Sequence, residues 1–286
     1  MNTLAAPLNP PPAKPLSTWE YWGRLMVVPY IVVFVVFVLY PVGYGLWLAR
    51  HPQSYVDLFN DPIFFRSAVN TLVFLVVAIN LKMMVALALS GFFVMERWWI
   101  KIVAAIFILP WAVPSIPTIL SVRFMLNPEW GIINSAIFRW TGLDGPNWLN
   151  DPTLALSLSM VMHIWKSLPF WTLILVAARL SIPTEQYEAA SVDGATGWQK
   201  FKFITWPSMR SIYLTSTILS MIWTLGDFNS VYLLTGGGPA DMTHVLATLG
   251  IRYLRLDQVD LAMASIVVGL PFILPLVYFM MKRLSK

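Results

Sequence analysis

Four ionisable side chains interrupt the long apolar runs of this sequence: Lys82, His163, Lys166 and Asp227. A lysine or aspartate in mid-membrane costs about 2.5–3.5 kcal/mol on insertion scales, so such groups face a partner or a wet cavity. Asp227 follows Trp223 at one-turn spacing, which in a helix sets a carboxylate and an indole on one face. That pairing suits a sugar, whose ring face stacks on the indole while its hydroxyls donate to the carboxylate. Lys166 either adds a donor from a facing segment or forms a structural ion pair with Asp227. Lys82 reads as a subunit-interface or headgroup-reaching lysine. His163 reads as a packing histidine with its polar atoms satisfied.

The rest of the chain carries little reaction chemistry. The histidines are His51, His163 and His244, with no His/carboxylate metal spacing and no nucleophile elbow. There is no cysteine, which removes disulfides and thiolate metal sites. The pattern G-x-x-x-x-G-K-[ST] is missing, so the chain is no P-loop ATPase. The glycine run Gly236-Gly237-Gly238 lacks the Lys-Ser/Thr that phosphate cradling needs. No catalytic residue, metal or chain-bound cofactor is expected.

The elements that must position the polar residues are membrane spans. The chain is 58% hydrophobic and only 12% charged, and apolar runs near span length recur. The fold class is an all-α polytopic integral membrane protein, with six transmembrane helices at about 25–48, 67–94, 101–126, 152–180, 207–234 and 261–281. Residues 1–18, rich in Pro and Ala, read as a flexible cytoplasmic tail ahead of a transmembrane domain over 19–286. The first apolar run is longer than a signal-peptide core and has no clean cleavage site after it. With both termini inside, eleven Lys/Arg fall on the cytoplasmic side (14, 24, 97, 101, 179, 200, 202, 210, 282, 283, 286) against six outside (50, 66, 123, 139, 252, 255). A pI near 9.5 invites nucleic-acid binding, but the basic residues scatter at helix ends and form no groove.

The intervening segments differ. Residues 127–151 hold three tryptophans and several turn residues, predicting a short interfacial helix and a tight return. Residues 235–260 predict a helix near 244–253. Pro110, Pro114 and Pro117 in the third span free backbone carbonyls, which protein or a wet cavity must satisfy. Between spans four and five lies the longest polar stretch that still looks folded, residues 181–207. Pro183 and Glu185 suit a helix start, Asp193-Gly194 a left-handed stop, and Thr196 to Gln199 a capping box. A second short helix is expected from there, ending before Pro207.

The order Glu188-Ala189-Ala190, three residues, Gly194, nine residues, Ile204, one residue, Trp206-Pro207 resembles the EAA loop of ABC importer permeases, with Trp206 where leucine is usual. Tyr40-Pro41, Asn70-Thr71, the run from Leu109 to Pro114, and Thr235-Gly236-Gly237-Gly238-Pro239 are similar to the carbohydrate-uptake branch, in its maltose/glycerol-3-phosphate first-permease type. This resemblance implies a permease subunit of an ATP-driven, binding-protein-dependent carbohydrate importer in a bacterial inner membrane. It implies as partners a second homologous permease, two ATP-binding cassette ATPase subunits that hold ATP and Mg, an extracytoplasmic solute-binding protein, the carbohydrate, and membrane lipid, with no nucleic acid. It places ATPase coupling at Glu188, Ala189, Ala190, Asp193, Gly194, Ile204 and Pro207. It places the substrate path at Trp223, Thr224 and Asp227 with Lys166, Ser167 and Phe170. The alternative is a stand-alone secondary transporter using Asp227 and His163 for proton coupling. That reading wants an internal repeat, which is not evident, and leaves residues 181–207 unexplained.

Overall fold

The computed structural model describes residues 18–284, so the tail expected over 1–18 lies almost wholly outside the described residues. These residues are helices and connecting turns, with no strand among them. The chain divides into two units, Met1–Arg50 and His51–Lys286. The first holds one helix, α1 (18–48), apolar and exposed along its length, with a π-helical turn at Val35–Leu39.

The second unit holds α2 (Pro52–Asn60), α3 (Pro62–Phe93), α4 (Trp98–Ala112), α5 (Ser115–Met125), α6 (Ile132–Thr141) and α7 (Pro152–Leu180). It continues with α8 (Thr184–Val192), α9 (197–225), α10 (Asn229–Thr235), α11 (Leu246–Arg255), α12 (Val259–Val268) and α13 (Leu270–Leu284). Among the described residues, Tyr21–Leu48, Pro62–Phe93 and Pro152–Leu180 are long and apolar enough to cross a membrane, and α4 with α5 would make a fourth if the bent pair is one span.

The core lies where α3, α7 and α9 meet. Ile79, Met83 and Ala86 of α3 pack with Trp171, Leu175 and Ala178 of α7 and Met209 of α9. Small residues carry the close approach: Ala86, Ser90, Ser159 and Ala178 are all buried. In lipid, where helices gain little from hydrophobic exclusion, such tight van der Waals contact is what holds them together.

Two expected spans are broken by two or three residues, and the sixth is interrupted at Gly269 alone. The third bends by 94° between α4 and α5. Val113 turns extended ahead of Pro114, as a residue before proline must. The fifth ends at Leu225 and resumes at Asn229. There the Asp227 side chain accepts from the Ser230 N–H at 3.2 Å, a local bond that competes with helix continuation.

A third difference is at Pro207, where the helix was expected to stop. Instead α9 runs from Gly197 through Pro207 to Leu225, with a π-helical turn at Phe201–Thr205 just before the proline. A π turn changes the hydrogen-bond register, so the donor that proline lacks is not missed and its ring finds room.

Candidate functional site

The two helix breaks face one cavity of about 290 Å³, lined by Trp111 and Ser115 from the first break and by Trp223, Asp227, Asn229 and Ser230 from the second. α7 supplies the remaining wall with His163, Lys166, Ser167, Phe170 and Trp171. Trp111 stacks on Phe170 at a centroid distance of 5.6 Å, and Phe170 on Trp223 at 5.2 Å. Trp111 and Trp223 keep about half their surface exposed. The result is an aromatic wall with polar groups beside it, the usual make-up of a site that orients a small polar molecule. A larger cleft of about 470 Å³ flanks the break at Pro110 and Val113, but Ile106, Phe107, Trp165 and Leu168 make it apolar and suited to acyl chains or a packed helix.

The cavity gathers most of the expected path residues: Lys166, Ser167, Phe170, Trp223 and Asp227. Thr224 is buried behind the wall, donating to the Ser220 carbonyl at 2.7 Å. Of the two readings of Lys166, the structural ion pair with Asp227 is not made. Lys166 Nζ donates to the Val113 carbonyl at 2.6 Å. In an unbroken helix that carbonyl would take the N–H of residue 117, but Pro117 has none, so lysine supplies the donor.

Asp227 pairs instead with His163, Nδ1 to Oδ2 at 2.6 Å. The other imidazole nitrogen, Nε2, lies 3.0 Å from Lys82 Nζ. Lys82 is 1% exposed, which corrects its reading as an interface or headgroup-reaching residue. The reason is helical spacing. Ile79, Lys82, Met83 and Ala86 share the α3 face that packs on α7, so the lysine is carried inward with its neighbours. His163 is a satisfied buried histidine as expected, but its partners are charged groups rather than backbone.

At 181–207 the structure forms a helical hairpin. α8 is capped at Asp193, and Gly194 takes φ +75, the left-handed stop that its sequence predicts. Thr196 and Gln199 close a capping box at the start of α9. Ala195 N–H donates to the Ala190 carbonyl at 2.8 Å, Lys200 Nζ to Ser191 Oγ at 2.6 Å, and Tyr187 and Thr205 hydroxyls meet at 2.8 Å. Glu188, Ala189, Asp193, Gly194 and Pro207 are exposed and Ala190 is half-buried. Ile204 instead packs inward on the α3–α7–α9 core, anchoring the hairpin. Val192, Trp198 and Phe203 are the exposed apolar groups here, at 89%, 69% and 67% of their surface, and none stood out in the sequence.

Residues 82–286 match the model of a family described as the binding-protein-dependent transport system inner membrane component. The chain belongs to that family. Over 267 residues it is 31% identical to the trehalose/maltose transport system permease protein MalF of Thermococcus litoralis, covering 89% of this chain and 90% of that one. It is 28% identical to the sulfoquinovosyl glycerol transport system permease protein SmoG of Agrobacterium fabrum, covering 82% and 83%. Among solved structures, a chain of a bacterial alginate ABC transporter in complex with an alginate pentasaccharide-bound periplasmic protein superposes with a TM-score of 0.77 at 26% identity, covering 92% and 93%. This permease is therefore a transport subunit, and ATP hydrolysis belongs to a separate subunit. A stand-alone secondary carrier is set aside.

A further polar cluster of the permease ties residues 242–246, just after the glycine run, to α3. Asn70 Nδ2 donates to the Met242 and His244 carbonyls at 2.9 and 2.8 Å, and Leu246 N–H to Thr71 Oγ1 at 3.0 Å. Arg252 bridges Asp241 at 2.9 Å and Asp61 at 3.4 Å, and Tyr253 donates to Asp61 at 2.8 Å. Burial works against the Asp241 carboxylate, but the Arg252 hydrogen bond and charge outweigh it and hold its pKa below the ordinary 3.8. Burial pushes His244 below the ordinary 6.5 in spite of Asp241 beside it. Asn70-Thr71 and residues 242–246, just beyond the glycine run and far apart from them in sequence, thus meet as one structure.

Proposed function

We propose that the permease conducts a carbohydrate through the cavity between the two helix breaks, with Trp223 and Phe170 as stacking surfaces and Asp227, Lys166 and Ser167 as polar contacts. The observation that carries this is the cavity itself: an aromatic wall and ionisable groups, where two spans give up helical geometry. Irregular backbone is tolerated at membrane depth where it lines a cavity or is buried in protein. The relatives named for maltose, trehalose and sulfoquinovosyl glycerol, and the alginate transporter, support a sugar rather than another polar solute.

The assembly that fits is a heterodimer with a second, homologous permease, two ATPase subunits carrying ATP and Mg, and an extracytoplasmic solute-binding protein. Six spans with both termini cytoplasmic agree with the Lys/Arg bias and put the hairpin on the ATPase side. The hairpin then docks through Glu188, Ala189, Asp193 and Gly194, with Ala190 and Pro207 flanking the contact. Val192 and Trp198 add apolar contact area to it, since exposed apolar surface of this kind marks an interface.

The test is substrate-stimulated ATP hydrolysis and sugar uptake by the reconstituted complex carrying Trp223→Ala. Loss of one stacking face should raise the half-saturating sugar concentration about tenfold, the equivalent of about 1.4 kcal/mol, with complex yield kept. Unchanged uptake would remove the cavity from the path.

A further inference from the structure

We infer that Lys82, His163 and Asp227 form a buried charge relay that clamps the helix break at 226–228, making Lys82 and His163 positioning residues for the solute cavity. The contacts run in series: Lys82 Nζ to His163 Nε2 at 3.0 Å, then His163 Nδ1 to Asp227 Oδ2 at 2.6 Å. An ammonium group has donors only, so Nε2 accepts from Lys82 and the Nδ1–H is left to donate to the carboxylate. Thr224 Oγ1, 3.2 Å from Nε2, commits its hydrogen to the Ser220 carbonyl and is no rival donor. A neutral imidazole therefore joins a cation to an anion, and the three side chains together carry no net charge.

The far end of the relay is what it holds. Asp227 Oδ1 accepts the Ser230 N–H, so the same carboxylate that closes the relay also fixes the first turn of α10. The near end is anchored in the core: Lys82 is fully buried, with the Trp171 ring 5.8 Å from its Nζ. The imidazole plane is set by Phe74, whose ring meets it edge-on at 5.8 Å. α3 and α7 thus grip the loose end of the broken span, where Trp223, Asp227 and Asn229 face the cavity. A lone lysine buried for packing would not need an imidazole and a carboxylate in line behind it.

The chain has no cysteine, so one reporter thiol can be introduced without background from this subunit. Asn229→Cys stands at the clamped end, and Ser115→Cys lines the same cavity from α5. In the assembled complex in nanodiscs, Lys82→Met should speed modification of Asn229→Cys by methanethiosulfonate ethylammonium about tenfold, through local opening of α10, and change Ser115→Cys less than about twofold. The double variant Lys82→Met/Asp227→Asn, again without net charge, should recover most of the protection. If Lys82→Met does not assemble, Asp227→Asn keeps the shape, removes the anion and reads the same opening.

Equal labelling of Asn229→Cys in the parent and in every assembled relay variant would overturn the clamp. So would equal acceleration at both reporters, which marks general loosening. The cavity's meaning as a solute path rests on the function proposed above. Thiol labelling reports the clamp alone and ATP hydrolysis reports the path, so failure of either is distinguishable.

Discussion

The cavity cluster and the 181–207 hairpin are both polar, yet they are built in opposite ways. The relay joins residues 81 and 64 positions apart, from three separate elements. The hairpin closes through contacts no more than 18 residues apart, Tyr187 to Thr205 being the longest of its side-chain bonds. Lys82 is buried with the His163 imidazole as its hydrogen-bond partner, and Asp227 has only that imidazole and the Ser230 N–H. On the hairpin the Thr196–Gln199 and Lys200–Ser191 bonds are exposed, and water stands in for either when it is lost. Damage in the relay should therefore fall on the fold, and damage in the hairpin on what docks to it.

The largest expected effect follows from His163. His163→Leu removes both contacts of the imidazole, leaving the buried Lys82 without its hydrogen-bond partner and Asp227 with the Ser230 N–H alone. Breaking a buried ion pair in this way costs roughly 3–5 kcal/mol. The thermal unfolding midpoint of the purified complex should drop and its yield fall. A complex of parental stability would show that water reaches the relay, and would erase the contrast with the hairpin.

Gly194 tests the other side. A Cβ there meets no atom within 4 Å, so only its φ of +75 opposes substitution. Placing a non-glycine residue in that region costs about 1–2 kcal/mol, and less for Asn, which tolerates it. Gly194→Val should leave assembly intact and lower substrate-stimulated ATP hydrolysis severalfold, with Gly194→Asn between it and the parent. Loss of the assembled membrane domain, rather than of coupling, would mean that the hairpin is part of the core.

The same contrast explains what the sequence made legible. Gly194, the Thr196–Gln199 box and the stop at Asp193 are all short-range signals, each with a local physical cause, and the hairpin follows from them. The π turn before Pro207 is not visible, because proline alone argues for a stop and only the Phe201–Thr205 geometry shows the escape. In the cavity, the residue types were legible from the cost of burying charge, but their pairing was not. Opposite sign offers Asp227 as one partner for Lys166, whereas the orphaned Val113 carbonyl is what it satisfies. The missing N–H of Pro117 was the available clue. Lys82 could have been placed inside from its spacing with Ile79, Met83 and Ala86, had that face been known to be the packed one.

A smaller effect is expected within the hairpin. Thr196 Oγ1 accepts from Gln199 N–H, and Thr196 N–H donates to Gln199 Oε1 at 2.6 Å. Thr196→Ala loses an N-cap bond worth about 1 kcal/mol. Backbone amides at the start of α9 should exchange faster, while the amides of α7 keep their protection. Spread of the change into α7 would join the two regions that the comparison separates.

The smallest effect should come from the cluster around Arg252, which stands between these extremes. Like the relay it spans distant residues, Asp61 and Asp241 meeting at one guanidinium, but 42% of the Asp241 side chain is exposed. Solvent can therefore take over part of each contact, and salt screens the rest. The direction with pH is fixed all the same. A carboxylate held below its ordinary pKa stabilises the fold above that value and loses its contribution as pH falls through the lowered one. His244, held neutral by burial, disfavours the fold once protons bind the unfolded chain more readily, at and below its ordinary 6.5. Both terms act the same way, so acidification should loosen α11, first below 6.5 through His244 and then in the carboxylate range through Asp241. Protection factors for the amides of Leu246–Arg255, corrected for intrinsic exchange, should fall between neutral pH and pH about 5, and Arg252→Gln should reduce them at neutral pH. His244→Gln keeps a polar side chain that cannot take a proton in this range, so its α11 should hold nearly constant protection over that first step. Flat protection in the parent would show that Asn70, with its two bonds to the 242 and 244 carbonyls, carries the loop without help from charge.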